Sequence, residues 1–357
     1  MTRRLLQSVS AATAGLVLGL AVTAIAGENP WHVLKVLCHG AFGTRADVGM
    51  TLFYATPLIF TGLSVALAFH AGLFNIGAEG QLTVGALAAA AVGTLWPECP
   101  WPLAPVVATA AALLAGMIWG AIPGWLRARR GSHEVINTIM LNFIAAGLSS
   151  YVTLNLLKNP DSQNPETAAI GAHYRIARLG FFEPAPVSLA LPLALVAAAV
   201  VWIFLRRTSL GFELRAVGSS ELAARAAGID SGRTRLVGLT MAGGLAGLVG
   251  VAEVLGNAGT FRVDFSPGYG FTGIAVALLA RNNPIAVIPA ALLFAALHKG
   301  TADLDMETEH VTREVSLVLQ ALIILCVSAE RLWTWKRVRT LASVMEDIPE
   351  PLTGGRI

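Results

Sequence analysis

Apolar runs long enough to cross a membrane recur from one end of this chain to the other, and charge is confined to the breaks between them. A helix rising 1.5 Å per residue needs about 20 apolar residues to cross a ~30 Å hydrocarbon core. Runs near 5–26, 50–70, 80–95, 103–123, 135–157, 187–205, 236–256, 270–280, 285–298 and 315–328 give ten segments. Only 13% of the 357 residues are charged and the mean hydropathy is +0.65, against about 25% charged residues in a soluble domain. The fold class that follows is all-α: a polytopic integral membrane protein, one domain over 1–357. Segments 80–95, 270–280 and 285–298 are too short to cross as straight helices, so they read as broken or half-spanning. Such interruptions survive only where they are buried in protein or line a wet cavity, and they point to a transport path.

Charge sets the expected orientation. With the N-terminus inside and sides alternating, 17 of the 25 Lys and Arg fall in inside segments and 8 outside, which favours N-in and C-in. The inside set comprises Arg3 and Arg4, the cluster Arg127, Arg129 and Arg130, the six arginines from Arg206 to Arg235, Arg281, and the tail from Arg331 to Arg356. Long outside loops run over Glu28–Gly49 and Lys158–Pro186, and Trp31, Trp96, Trp101, Trp333 and Trp335 stand at segment ends, as interfacial aromatics do. The N-terminal run Leu5–Ala26, about 22 residues with an A-x-A-like end, exceeds a signal h-region of ~7–15 and reads as an uncleaved first helix.

Several chemistries lack their residues. Cys38, Cys99 and Cys326 form no CxxC pair, and no P-loop, HExxH or Gly-x-Ser-x-Gly motif is present. The expectation is no enzyme, no metal and no cofactor held by this chain. A net charge of +3, spread over short loops, gives no nucleic-acid footprint. GYGFTG at 268–273 fits G-x-G-x-x-G, but no strand and crossover surround it, so it reads as a glycine-loosened helix start near the path. His70 and His298, at segment ends, read as interfacial or helix-bonding residues.

The polar residues inside apolar surroundings are the candidates for function. GLFNIGAEGQLTVG, 72–85, places Asn75, Glu79 and Gln81 between two apolar runs. A carboxylate at the bilayer centre costs about 2.5–3.5 kcal/mol on insertion scales, so it faces water or a bundle interior. The alternative is a plain cytoplasmic loop. In GSHEVINTIMLNFIA, 131–145, Ser132 can cap a helix, Glu134 suits its positive end, and Asn137 and Asn142 lie about 140° apart around it. One can face the path while the other bonds a neighbouring helix, and helix packing alone would also account for both. From Ser219 to Ala227 a short helix is expected, started by serines and ended by Gly228, with Glu221 and Arg225 paired at i,i+4 and Leu222, Ala223 and Ala226 forming an apolar face. Gly243 and Gly247, in GxxxG spacing, predict a close helix contact.

Four stretches in this order, LFNIGAEGQ (73–81), HEVINTIMLNFIA (133–145), AVGSSELAARAAGI (216–229) and GYGFTGIAVALLA (268–280), resemble the membrane permease subunits of bacterial ABC importers. The similarity covers roughly 50–330 and lies in the simple-sugar and branched-chain amino acid permease superfamily, nearest its nucleoside-type members. What the resemblance implies is a permease paired with a second, usually different, permease subunit in the inner membrane. Two cytoplasmic ATPase subunits would bind the ATP, and an extracytoplasmic binding protein would deliver the solute. By the same match 206–235 would be the coupling segment, with Glu221, Ala224, Arg225 and Gly228 meeting the ATPase. His133 stands where that subgroup is expected to carry Asn, and IDSGRTR replaces a lysine-bearing linker. Asn75, Glu79, Gln81, Asn137 and Asn142 are the expected path residues. A proton-driven secondary transporter using Glu79, a simple-sugar permease, and a membrane sensor binding ligand through 158–186 are the rival readings.

Overall fold

The computed structural model describes residues 2–308, 311–312, 314–315 and 317–327, with side chains from Ser10 onward except at 305 and 306. Trp333, Trp335 and the basic tail from Arg331 lie outside these residues. The chain is helical: α1 (Thr2–Ile25), α2 (Pro30–Phe42), α3 (Arg45–His70), α4 (Ala78–Leu95), α5 (Leu103–Arg130), α6 (Glu134–Asn155), α7 (Ala190–Arg207), α8 (Ser209–Ser219), α9 (Glu221–Ala226), α10 (Ser231–Gly247), a π-helical segment (Val251–Ala258), α11 (Tyr269–Leu279), α12 (Pro284–Gly300) and α13 (Leu304–Glu307). Pairing between extended segments is limited, among the described residues, to isolated bridges.

Among the described residues, six stretches are long and apolar enough to cross a membrane: Arg45–His70, Leu103–Arg130, Glu134–Asn155, Ala190–Arg207, Ser231–Ala258 and Pro284–Asp303. Ser10–Ile25, Tyr269–Leu279 and Leu317–Val327 are shorter apolar helices. Two of the three expected half-spans are longer than their apolar runs. α4 has 18 residues, about 27 Å, because Ala78 and Glu79 are already helical. α12 continues through a 3₁₀ turn to Asp303. Only the 11-residue α11 stays short, at about 16 Å. The outside stretch Glu28–Gly49 is not a plain loop, for it contains α2, whose Val33, Val36, Leu37 and Ala41 are buried.

α3 is buried along most of its length and packs against α11, α12, α10 and α7. α5, α6 and α7 form the outside, presenting Ile118, Trp125, Phe143, Ile144, Tyr151 and Val196 outward. An apolar surface this continuous calls for lipid or another subunit rather than water. The expected GxxxG contact is present and extends further than its two glycines. On α5 the small residues Ala104, Ala108, Ala112, Gly116, Gly120 and Gly124 recur every fourth position, all buried. A Cβ on Gly243 would collide with the Gly116 carbonyl, and one on Gly247 with the Ala112 carbonyl. Backbone therefore lies on backbone, the packing that small residues allow.

The connections sort to two ends. At one, His70 Nε2 meets the Asn282 carbonyl at 3.0 Å and Gly218 sits on the His70 carbonyl. This end gathers the arginine-bearing connections. At the other, Thr167 N–H donates to Phe261, Gly171 N–H donates to Gly93, and Lys299 pairs with Asp47 at 3.1 Å.

Candidate functional site: a broken-helix junction beneath an aromatic cavity

The chain leaves α3 at His70, turns through Gly72 (φ +70), and re-enters helix only at Ala78. The segment Ala71–Gly77 reaches below the arginine-rich end, because Asn142 lies eight residues, about 12 Å, along α6 from Glu134. The Asn142 amide donates to the Ile76 carbonyl at 3.0 Å and its oxygen accepts Gly80 N–H at 2.9 Å. One side chain on α6 thus satisfies both an orphan carbonyl of the break and an orphan N–H of α4's first turn.

Asn75 and Gln81 are fully buried. Asn75 Nδ2 donates to Gln81 Oε1 at 2.8 Å, Gln81 Nε2 returns a bond to Asn75 Oδ1 at 3.1 Å, and Ser64 Oγ on α3 also accepts from Asn75 at 3.1 Å. This amide pair holds the break closed; its polar atoms face each other. Leucine at Asn75 should cost about 1–3 kcal/mol by leaving Gln81 unpaired, whereas the double change Asn75→Leu, Gln81→Leu should recover most of that loss. Thermal unfolding of the four proteins in detergent would show it, and simply additive losses would refute the pairing.

Glu79 Oε2 accepts the Gly270 N–H at 2.7 Å, and the Ser266 hydroxyl reaches the same carboxylate. Ser266 Oγ in turn accepts Tyr269 N–H at 3.0 Å. Glu79 and Ser266 together therefore cap α11, while Glu79 itself lies in the first turn of α4. Two helix N-termini converge on one carboxylate, the arrangement their dipoles favour. Gly270 permits it, for a Cβ there would strike the backbone of Glu79. The GYGFTG glycines are thus a helix start against the break, as expected. Asn137 stands apart from this group: it donates to Ser132 Oγ at 2.6 Å within its own helix end. His133, not Ser132, occupies the cap position, without a side-chain bond, and Glu134 pairs with Arg127 at 3.4 Å.

Directly beyond Gly270, toward the 158–186 end, a cavity of about 350 Å³ opens. Phe53, Tyr54, Phe261, Phe265, Tyr269 and His298 supply rings; Glu253, Asn257, Thr260 and Arg262 supply polar atoms. Tyr54 meets His298 edge-on at 4.7 Å and Phe261 meets Phe265 at 5.5 Å. His298 thus stands in the cavity wall and packs α12 on α3, in keeping with the helix-bonding reading. Glu253 and Asn257 belong to the π-helical segment, whose i→i+5 bonding extends to Gly259 N–H on the Val254 carbonyl at 2.8 Å. π-turns widen a helix and are frequent at functional sites. Arg175 and Arg178 bond the carbonyls of Gly256, Asn257 and Ala258 at its C-terminus, which anchors the long 158–186 loop to this segment. Within that loop Glu166 accepts from Ser162 and Arg262, which hold its carboxyl below the usual range. Sequence reading passed over Glu253, although a lone carboxylate within the run 236–256 was the signal available.

At the arginine-rich end, the expected helix 219–227 divides: Ser219 ends α8, and Ser220 caps α9. Gly228 (φ +82) closes α9 with Ile229 N–H on Ala224 O and Gly228 N–H on Arg225 O, a Schellman ending. Glu221 bonds Arg235 at 2.7 Å, Arg225 at 2.8 Å and Ser231 at 3.1 Å. Chiefly the Arg235 bond lowers its carboxyl pKa. α9 is thus strapped to the first turn of α10. Ala224, 3% exposed, faces inward, while Leu222 is 83% exposed. Leu222, Ala223 and Ala226, the anticipated apolar face, are exposed.

Residues 48–328 match the family described as branched-chain amino acid transport system / permease component. The chain belongs to this family. It is similar to the guanosine ABC transporter permease protein NupP of Bacillus subtilis, 37% identical over 88% of this chain and 90% of the relative. It is also similar to the glucose ABC transporter permease protein TsgB13 of Haloferax volcanii, 34% identical over 94% and 90%. The nucleoside ABC transporter permease protein NupB of Lactococcus lactis is 33% identical over 92% of each. The same Bacillus and Lactococcus strains hold further matching permease proteins, NupQ and NupC, each 28% identical over 69% of this chain. No solved structure matches. Family membership and the apolar helices make the chain a multi-pass membrane transport component.

Proposed function

We propose that this chain is the permease subunit of an ATP-binding-cassette importer that moves a nucleoside across the bacterial inner membrane. In this reading it is N-in and C-in, and α1, α4, α11 and Leu317–Val327 join the six long spans to make ten segments. It forms a single permease domain with 206–235 as its coupling segment, and it pairs with a second, different permease subunit, as the NupP/NupQ and NupB/NupC pairs suggest. ATP is bound by two separate cytoplasmic ATPase subunits, this chain holds no cofactor, and an extracytoplasmic binding protein delivers solute at the 158–186 end.

The observation that carries the reading is α9, an exposed helix tied by Glu221 to α10. The π-helical segment that lines the aromatic cavity follows α10 within one membrane-spanning stretch. A push on Leu222 and Arg225 is thereby delivered to the cavity wall. ATP binding does work only if it favours one conformation of the permease pair. The 34% identity to a glucose permease keeps a simple sugar as the second reading.

ATP-driven uptake of labelled guanosine and uridine by the chain, co-purified with its ATPase and permease partners and placed in proteoliposomes, tests this. Leu222→Asp and Arg225→Glu should each lower uptake about tenfold, as expected from losing roughly 1.4 kcal/mol of contact. Nucleoside uptake without any ATPase subunit would refute the importer, and uptake of glucose alone would move the substrate to the sugar class.

A further inference from the structure

The polar atoms of the aromatic cavity are unequally used. Arg262 is taken by Glu166 at 3.2 Å, so it does not neutralise Glu253. Tyr269 and Asn257 stand beside Glu253, yet its Oε1 is buried and accepts from no group among the described residues. A carboxylate oxygen is acceptor-only, and leaving it desolvated and unmet is costly unless a bound molecule brings the donor. Six ring-bearing residues line the same cavity as Glu253. Their faces suit a flat π-system, since stacking on aromatic side chains is open to every nucleobase. The volume of about 350 Å³ stands at the small end of ligand pockets, about 300–1,000 Å³.

We infer that the cavity among Tyr54, Glu253, Asn257, Phe265, Tyr269 and His298 is a nucleobase subsite in which Glu253 Oε1 accepts a ring N–H of the base. This rests on the importer reading, and it supplies what that reading lacks, a residue that discriminates among solutes. One unmet acceptor oxygen suits one N–H. An alkylammonium group would bring three donors to it, and a sugar would leave the six rings without a flat partner. The Glu79–Gly270 contact closes the floor beneath Tyr269, so a base held here waits above the junction.

Uptake of guanosine and uridine against 1-methylguanosine and 3-methyluridine, whose ring N–H is replaced by N–CH₃, reads the inferred bond directly. The reconstituted complex should prefer the unmethylated nucleosides about tenfold or more, the range of a charge-assisted hydrogen bond. Glu253→Met, similar in size but without an oxygen acceptor, should bring that ratio toward unity while the complex still assembles. Should Glu253→Met fail to assemble, Phe265→Leu keeps the carboxylate and removes one ring, and it should weaken both nucleosides roughly fivefold or more while preserving the methylation ratio. Nucleoside uptake with an unchanged ratio in Glu253→Met, or with no loss in Phe265→Leu, overturns the subsite and leaves the importer standing. Glucose or amine uptake without nucleoside uptake overturns both.

Discussion

Gly243→Leu is expected to abolish the folded permease. At this position a single Cβ would already meet the Gly116 carbonyl oxygen, and the Gly120 Cα lies 2.9 Å from where it would stand. A leucine adds three further carbons in the same direction. Neither neighbour is a side chain that can swing aside, so α5 and α10 must separate along the whole stripe from Ala112 to Gly124. Ordinary overpacking costs about 1–3 kcal/mol because side chains give way. Here backbone must give way, and a loss above about 4 kcal/mol is expected. The measurement is the yield of monodisperse protein by size-exclusion chromatography from detergent extracts. Gly147→Leu is the control: it lies on α6 with nothing within 4 Å of a Cβ, and its yield should match the parent. Equal yields for the two variants would show that the α5–α10 contact is looser than its geometry.

The membrane-spanning helices were legible in the sequence because lipid imposes length and polarity on each span locally. The GxxxG contact was legible for the same reason, since small residues at four-residue spacing leave room for a backbone whichever helix supplies it. What could not be read was depth and partnership. α2 was hidden in an outside loop because its burial comes from α12 and α3, not from its own 13 residues. The apolar-run criterion shortened α4, since Glu79 looks like a break when its partner, Gly270, is unknown. The same cause separates Asn142 from Asn137: both are asparagines on one helix, but only Asn142 faces α4. Glu253 was less legible because it interrupts no apolar run, and its neighbour Tyr269 comes from a distant part of the chain.

Replacement of Glu79 separates a structural junction from a proton relay. In the observed geometry Glu79 serves as an acceptor for the Gly270 N–H, one of the orphan donors of α11. Glu79→Gln keeps a carbonyl oxygen on the same stem, so ATP-driven uptake should stay within about threefold of the parent. Glu79→Ala leaves the N–H unmet and frees α11 from α4, and a bond to a charged acceptor is worth about 1.5–3 kcal/mol. If that energy sets the population of the transport-competent conformation, uptake should fall roughly tenfold to a hundredfold. A proton-driven carrier makes the opposite prediction, because glutamine cannot titrate: Glu79→Gln would then be as inactive as Glu79→Ala, and uptake by the parent would follow the proton gradient with ATP withheld. The ordering of the two variants therefore decides whether the carboxylate is there for its charge or for its shape. The capping of α11 by Glu79 and Ser266 together argues for shape, since the groups bonded to Glu79 on this face are a backbone amide and a hydroxyl.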